Sequence, residues 1–525
     1  MKKTFKKGAG LALAVLMAVT TAGCGKKNGE AMKPDTDERL DIDFMISGQG
    51  TDDSHFVLKK TLDEKFNINA NFLISASSAH IDKLKILITS DSLPDIVSPF
   101  PNDLAKNCGP RGALVPLSDY LDKMPNYKKY LTSNAESYAS QMANDDKVYV
   151  AALYREQSDC RYVPILRRDL FEEQGIEIPK TYNELYTALK KIKEKHPEII
   201  GLVNKVQMAC LSDYGMNFNT SSEMFYNKEK DKWEYGPVNK GFKEMLTFFN
   251  NLWKEGLMDP EFFTASTKQW EEKILSGKAV FTLGWVNDSY DYKKTYLELH
   301  PNSKFDLSLT EPMTTESYDV PVIQTSAQIN DYCAYGISAK SPAAARLLKV
   351  VDFMYSDEGS TLAQYGVEGK NFITTEDGKK KYAEDIMWGY NPKGTHNPLT
   401  YYGLRSDHLM RVVKAQDYEK YADIEMDAIN MRQKYWDNNW GYTSNNGIKL
   451  TFTEDQQAEI DKIKNNLSTM VNEESIKFIV GERPMSEFDS FIAQLEKLNY
   501  KKLENIYSEA FKQYKDRIKM IKLYD

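Results

Sequence analysis

Hydrophobic and polar positions alternate early in the chain. Leu40, Ile42, Phe44 and Ile46 interleave with Asp41, Asp43 and Met45, the period of a strand. Phe56, Leu58, Leu62 and Phe66 predict a helix over about 53–65. Alternation returns at Ile68, Ala70, Phe72 and Ile74. Ile81, Leu84, Leu87 and Ile88 suit a second helix, and Asp95-Ile96-Val97-Ser98 reads as a short strand entered from Pro94. Strand–helix–strand–helix–strand indicates a parallel α/β sheet. Further on, Thr181 and Glu184 form a capping box for a helix with Tyr182, Leu185, Leu189 and Ile192 on one face, ended by His196-Pro197. Ser341-Pro342 opens another helix, through Leu347, Leu348, Val351 and Met354. Thr453…Gln456 and Ser486…Asp489 open two more, the last with a stripe of Phe488, Phe491, Ile492, Leu495 and Leu498, so the final third reads as almost entirely helical. Residues 224–235 read as an exposed hairpin with Trp233 packing across its strands.

The first 24 residues follow a different pattern. Lys2, Lys3, Lys6 and Lys7 precede a small, apolar run from Ala9 to Ala22, which ends in Thr21-Ala22-Gly23-Cys24. This is the layout of a secretory signal peptide, and the apolar run is too short to span a bilayer comfortably. A cysteine directly after Ala-Gly resembles a bacterial lipoprotein cleavage box, with Thr21 where such boxes usually carry leucine. The resemblance implies cleavage after Gly23 and a diacylglyceryl thioether on Cys24. Residues 25–39 are polar and aperiodic, a tether spanning on the order of 20 Å.

Composition narrows the class. The chain has 525 residues and a formal charge of −8, more negative once the leader lysines are removed. With no long basic block, it is a poor candidate for nucleic-acid binding or for electrostatic attraction to anionic lipid. Cys108, Cys160, Cys210 and Cys333 show no CxxC or metal-ligand spacing and read as small buried residues or one incidental disulfide.

Catalytic motifs are absent: no HExxH, no GxSxG, no Walker A. Gly366-Val367-Glu368-Gly369-Lys370 has the wrong spacing for a phosphate loop, and Asn371 stands where Ser or Thr is needed. The six histidines are isolated in sequence, and no catalytic residue, cofactor or metal site is expected. A carboxylate pair defined only by spatial separation remains open. The 32 tyrosines and 7 tryptophans are the unusual part. Some lie in polar, glycine-containing segments: Gly284-Trp285-Val286-Asn287-Asp288, Trp388-Gly389-Tyr390 leading to Tyr401-Tyr402, and Trp436 through Trp440-Gly441-Tyr442. A flat aromatic face beside amides and carboxylates suits a sugar ring, though the same residues could cap helices or close a seam between domains.

Several segments together resemble the extracellular solute-binding protein family 1 of ABC importers, in its LplA-like lipoprotein branch. Ser92-Leu93-Pro94-Asp95-Ile96-Val97, Lys147-Val148-Tyr149-Val150 and Leu166 through Gly175 to Pro179-Lys180-Thr181 are similar to its signatures. So are Gly277-Lys278-Ala279, Ser356 through Gly359, Tyr365 through Gly369, and Phe478 through Ser490. The resemblance implies a two-lobed α/β, periplasmic-binding-protein-like type II fold with a helical C-terminal region. A cleft between the lobes closes on an oligosaccharide, which is then passed to permease subunits of an ABC importer. The implied divisions are 1–23 leader, 24–39 tether, 40–155 and 329–395 first lobe, and 156–328 and 396–525 second lobe. It further implies a monomer, lipid-anchored at the extracellular face of a bacterial, Gram-positive cell membrane. Lys195 through Gly201 lacks the oxygen ligands of the calcium loop found in some relatives, so no such site is expected.

In parallel sheets, ligands bind beyond the carboxyl ends of strands. That rule places the candidate contacts at Gln49 and Ser98 for hydroxyl hydrogen bonds and at Trp285 and Asp288 from the opposite lobe. Tyr154 lies near the first hinge, and Trp388, Tyr390, Tyr402 and Trp436 come from the aromatic clusters. Two other functions share these features: a surface-anchored carbohydrate hydrolase or lyase, and a subunit presenting ligand to a membrane sensor kinase.

Overall fold

The computed structural model describes residues 32–48, 52–386, 395–414, 423–443, 445 and 447–521. Leu40–Ser47 and Ile68–Ser75 pair in parallel, residue for residue, and Ile96–Ser98 joins the other side of the first strand. The alternation explains the pairing. Ile42, Phe44 and Ile46 point into a core shared with Leu58, Leu62, Leu347 and Val351. Asp41 and Asp43 point outward, where they accept from the side chains directly opposite, Asn69 and Asn71, at 2.8 Å each. Met45 is buried as well, against Leu84, Val97 and Leu114, because a second layer covers that part of the sheet.

The completed large sheet has six strands in the order Val412–Val413, Val150–Arg155, Ile329–Ile337, Ile96–Ser98, Leu40–Ser47, Ile68–Ser75. Ile329–Ile337 runs antiparallel to both neighbours. A second, four-stranded sheet is ordered Leu307–Leu309, Val163–Arg167, Ala279–Gly284, Ile200–Leu202. The chain passes between the sheets at 156–162 and at 324–328, and helix Asp423–Asp437, which follows Val412–Val413 in sequence, packs against Leu307–Leu309 of the small sheet. Residues 396–413, expected in the second lobe, stay with the large sheet through Val412–Val413, which pair with Tyr154 and Arg155. Two-residue strands have no periodicity to read, so the final third is less helical than the sequence suggests.

Helix Tyr182–Lys195 carries its expected cap, with the Thr181 hydroxyl accepting from the Glu184 amide at 3.1 Å. The early helix starts later than expected, at Val57, because Asp53 is instead paired with Lys59 at 2.9 Å. Ser341 likewise donates to Asp95 at 2.6 Å, and its helix is Ala344–Met354.

The C-terminal helices Glu454–Val480, Phe488–Lys497 and Tyr500–Met520 join the second-lobe core, where Leu467, Val471, Phe478, Phe491 and Phe511 cluster with Phe242, Leu246 and Phe249. The hairpin Met224–Asn227 and Lys232–Tyr235 is not free on the surface. Trp233 is 8% exposed and packs on Tyr507 of the last helix at 5.2 Å. That helix also reaches the first lobe: Tyr514 donates to the Glu136 carbonyl and Arg517 to that of Ala143. The four described cysteines are buried and free. No described helix is long and apolar enough to cross a membrane.

Candidate functional site

Both sheets turn the same kind of edge toward the crossing segments. In the large sheet, Leu40–Ser47, Ile68–Ser75, Ile96–Ser98 and Val150–Arg155 all end there, since two successive antiparallel pairings bring the fourth parallel to the third. In the small sheet, Ala279–Gly284 and Ile200–Leu202 end there, while Val163–Arg167 begins there, with Val163 opposite Gly284. Ligands of open α/β sheets bind at such edges.

On the first-lobe side the edge is polar and internally bonded. The Ser75 hydroxyl lies 2.6 Å from His80 Nδ1, and His80 Nε2 lies 2.9 Å from the Pro99 carbonyl. That carbonyl can only accept, so the chemistry of the partners assigns the proton to Nε2, and the single Ser75 hydroxyl proton is shared between His80 Nδ1 and the Ile46 carbonyl at 3.1 Å. Burial depresses the His80 pKa, in keeping with a neutral ring. Nearby, Tyr401 lies between two imidazoles, stacked on His55 and on His396 at 4.2 Å each.

On the second-lobe side, Gly284 ends its strand without a side chain, and the reason is steric. A Cβ there would sit 2.7 Å from the Asp288 carboxylate and 2.8 Å from Ile165. The space lets Asp288 fold back, accept from the Trp285 amide at 2.7 Å and pair with Lys205 at 2.6 Å. It thereby caps helix Val286–Leu299. Burial raises the Asp288 pKa, against Lys205 and the capped amide, which favour the carboxylate. Trp285 is half-buried; the Arg161 guanidinium lies over it at 5.5 Å and the Tyr162 ring at 6.0 Å. Behind Tyr162, Asp213 accepts from Gln324 at 2.9 Å, and burial pushes its carboxyl up to about 6.

The expected contacts are distributed unevenly over this geometry. Trp285 stands at the edge, partly accessible. Asp288 is beside it but occupied with Lys205 and the helix cap. Ser98 is fully buried, with no hydrogen-bond partner for its hydroxyl, so it is not offered to a ligand in this conformation. Tyr154 is turned into the large-sheet core, packed on Tyr130 and Tyr355, and its oxygen accepts from Gln141 at 2.9 Å. Tyr402 is buried against Val57, Ile386 and Leu404, with its hydroxyl 3.3 Å from Asp385. Trp436, on helix Asp423–Asp437, donates to the Ser158 carbonyl at 3.1 Å and lies under Arg432 at 5.0 Å, so it braces the first crossing segment. Gln49, Trp388, Tyr390 and the leader with Cys24 lie outside the described residues.

Residues not anticipated include Arg161, Tyr162, Lys205, Asp213 and the His55–Tyr401–His396 stack. One signal could have found Tyr162 and Arg161: a strand antiparallel to one that ends at the cleft must begin there. A polar cavity of about 340 Å³ also lies between the lobes, lined by Ser140, Gln141, Ser158, Gln328, Asp331 and Tyr514 among others.

Two α/β lobes joined by repeated crossings, with sheet edges turned to one seam, define a type II solute-binding fold. Residues 57–361 match the family described as bacterial extracellular solute-binding protein, and the chain belongs to that family. The fructooligosaccharide ABC transporter substrate-binding protein FusA of Streptococcus pneumoniae serotype 4 is 26% identical over 310 residues, which cover 52% of this chain and 56% of FusA. The chain thus spans little more than half of that relative. The polygalacturonan/rhamnogalacturonan-binding protein YtcQ of Bacillus subtilis is 22% identical over 452 residues, covering 83% of this chain and 84% of YtcQ. Among solved structures, an HMO-binding, ABC-transporter associated solute-binding protein from Bifidobacterium longum infantis superposes with a TM-score of 0.74 at 14% identity, over 91% of this chain and 99% of that one.

Proposed function

We propose that this protein is the oligosaccharide receptor of an ABC importer. It binds its ligand without chemical change, as a monomer, in the cleft between the lobes, and delivers it to the permease. The observation that carries this reading is the meeting of both sheet edges at one seam, with half-buried Trp285 beside Arg161 and Tyr162. The carbohydrate specificities in the names of FusA and YtcQ support it. An indole face takes the C–H face of a sugar while neighbouring donors take its hydroxyls. The bodies that move are the lobe built on the six-stranded sheet and the lobe built on the four-stranded sheet with the C-terminal helices. Ligand bridging both edges favours the closed arrangement, a population shift set by the extra contacts made there.

The leader supplies the address. Acylation of Cys24 holds the receptor at the outer face of the cell membrane, each buried CH₂ contributing roughly 0.8 kcal/mol and two chains giving stable anchoring. The acidic body has no electrostatic reason to stay at an anionic surface.

The test is a panel of oligosaccharides offered to the chain from Gly25 onward. Expected are a raised melting temperature with at least one sugar, no product, and a smaller radius of gyration by X-ray scattering at saturation. Turnover would replace the receptor reading with a hydrolase or lyase, and an unchanged radius would remove the closing cleft.

A further inference from the structure

Among the described residues, the cations Lys205 and Arg155 at this seam are ion-paired and Arg161 is not. Lys205 is neutralised by Asp288 at 2.6 Å. Arg155 is held between Asp159 at 3.0 Å and Asp407 at 2.7 Å. Arg161 has no carboxylate within ion-pair distance among the described residues, and its buried Nε has no hydrogen-bond partner. Its backbone is fixed, the amide donating to the Gln324 carbonyl at 2.7 Å, and its guanidinium lies over Trp285. Asp213, the buried carboxylate bonded to Gln324, makes no ion pair with it.

A half-buried guanidinium without an anion is an unusual thing to retain. Stacking on an indole compensates only a small part of that charge and leaves the in-plane donors unused. Closure of the lobes would withdraw this cation further from water, at a cost that sugar hydroxyls compensate only in part. A carboxylate compensates it fully, through two parallel charge-assisted hydrogen bonds to the planar fork. The neighbouring Tyr162 hydroxyl and the exposed part of Trp285 are then left for the ring that carries the carboxylate.

We infer that Arg161 is a specificity-determining residue that recognises a carboxylate, and that the oligosaccharide bound in this cleft contains uronic-acid residues. This rests on the receptor reading above. It predicts a preference that neutral-sugar receptors lack: the free acid binds and its ester does not.

The experiment titrates the detergent-solubilised full chain by calorimetry with the trisaccharides of galacturonate, glucuronate and mannuronate, each beside its methyl ester, and with neutral oligosaccharides of the same length. At least one free acid is expected to bind more than tenfold tighter than its own ester, with affinity falling as salt is raised. R161Q should erase the acid-over-ester ratio while melting near the wild-type temperature, and R161K should keep part of it. A merely structural role for Arg161 would weaken acid and ester alike and leave their ratio unchanged. Equal binding of acid and ester, a ratio that survives R161Q, or binding of neutral sugars alone overturns the inference and leaves the receptor reading standing. Binding of no carbohydrate at all overturns the receptor reading itself.

Discussion

Single residues at the seam are held by their neighbours more than by their own propensities. Trp285 is positioned by the space at Gly284 and by the Asp288 cap on its amide. Trp285→Ala should therefore weaken oligosaccharide binding more than tenfold in calorimetry, with Tyr162 and Arg161 left facing an empty wall. Unchanged affinity would return the indole to a purely structural role. Asp213 gives a prediction in pH. Its carboxyl is protonated in the fold up to about pH 6, whereas the unfolded group ionises near 3.8. Its stabilising contribution is present below that value and lost as pH rises through 6. Asp213→Asn keeps the oxygen that accepts from Gln324 and has no proton to lose. The variant should gain on the wild type by about 2 kcal/mol between pH 4 and pH 7, from a shift of roughly two pKa units. A difference that stays flat with pH in denaturant melts would contradict this. His408 runs the opposite way: burial pushes its pKa down to about 4, so the stability it contributes is lost as pH falls from 6.5 toward 4. The two slopes oppose each other over a shared window, so the comparison of D213N with wild type is more informative than either curve alone.

Among the elements, the C-terminal helices are tied to the second lobe by one side chain in particular. Asn250, on helix Lys240–Lys254, donates to the carbonyls of Phe478 at 3.0 Å and Ile479 at 2.9 Å. These are among the last-turn carbonyls of Glu454–Val480, which lack helical partners where Gly481 turns left-handed at φ 85°. Asn250→Ala should destabilise the protein by about 1–3 kcal/mol, the cost of leaving such groups buried and unpaired. Chemical denaturation would detect it, and an unchanged midpoint would mean that water replaces the amide there. The strands teach a related lesson. Leu40–Ser47 was legible because its outward positions are aspartates with asparagines facing them on the next strand. Val412–Val413 was not, because two residues cannot display a period.

At the scale of the molecule, the lobes are joined by more than the crossing segments. The last helix spans both, through Trp233 on one side and through Glu136 and Ala143 on the other. Tyr514 on that helix also lines the polar cavity with Ser158 and Gln328 of the crossings. The lobe movement proposed above would therefore have to be accommodated along this face as well as at the proposed ligand edge. The proposed membrane attachment belongs to this scale too. Cys24→Ser should shift the protein from the membrane fraction to the medium without altering sugar affinity. Retention of the variant at the membrane would show that something other than the thioether holds it.

The α/β class, the order of the first five elements and the capped helices at Thr181 and Thr453 were all readable from the chain. Periodicity, capping and turn chemistry act over a few residues, so they leave their mark in a few residues. The partners of the edge were not readable. Tyr154 is withdrawn because Gln141 takes its hydroxyl inside the large-sheet core. Asp288 is occupied because Lys205 arrives from another strand end. Tyr401 is flanked by two histidines that are isolated in sequence. Arg161 comes to Trp285 only because Val163 pairs antiparallel with Gly284. Such contacts are decided by packing between segments far apart in the chain, where the energy of each side chain depends on what the rest of the fold places beside it.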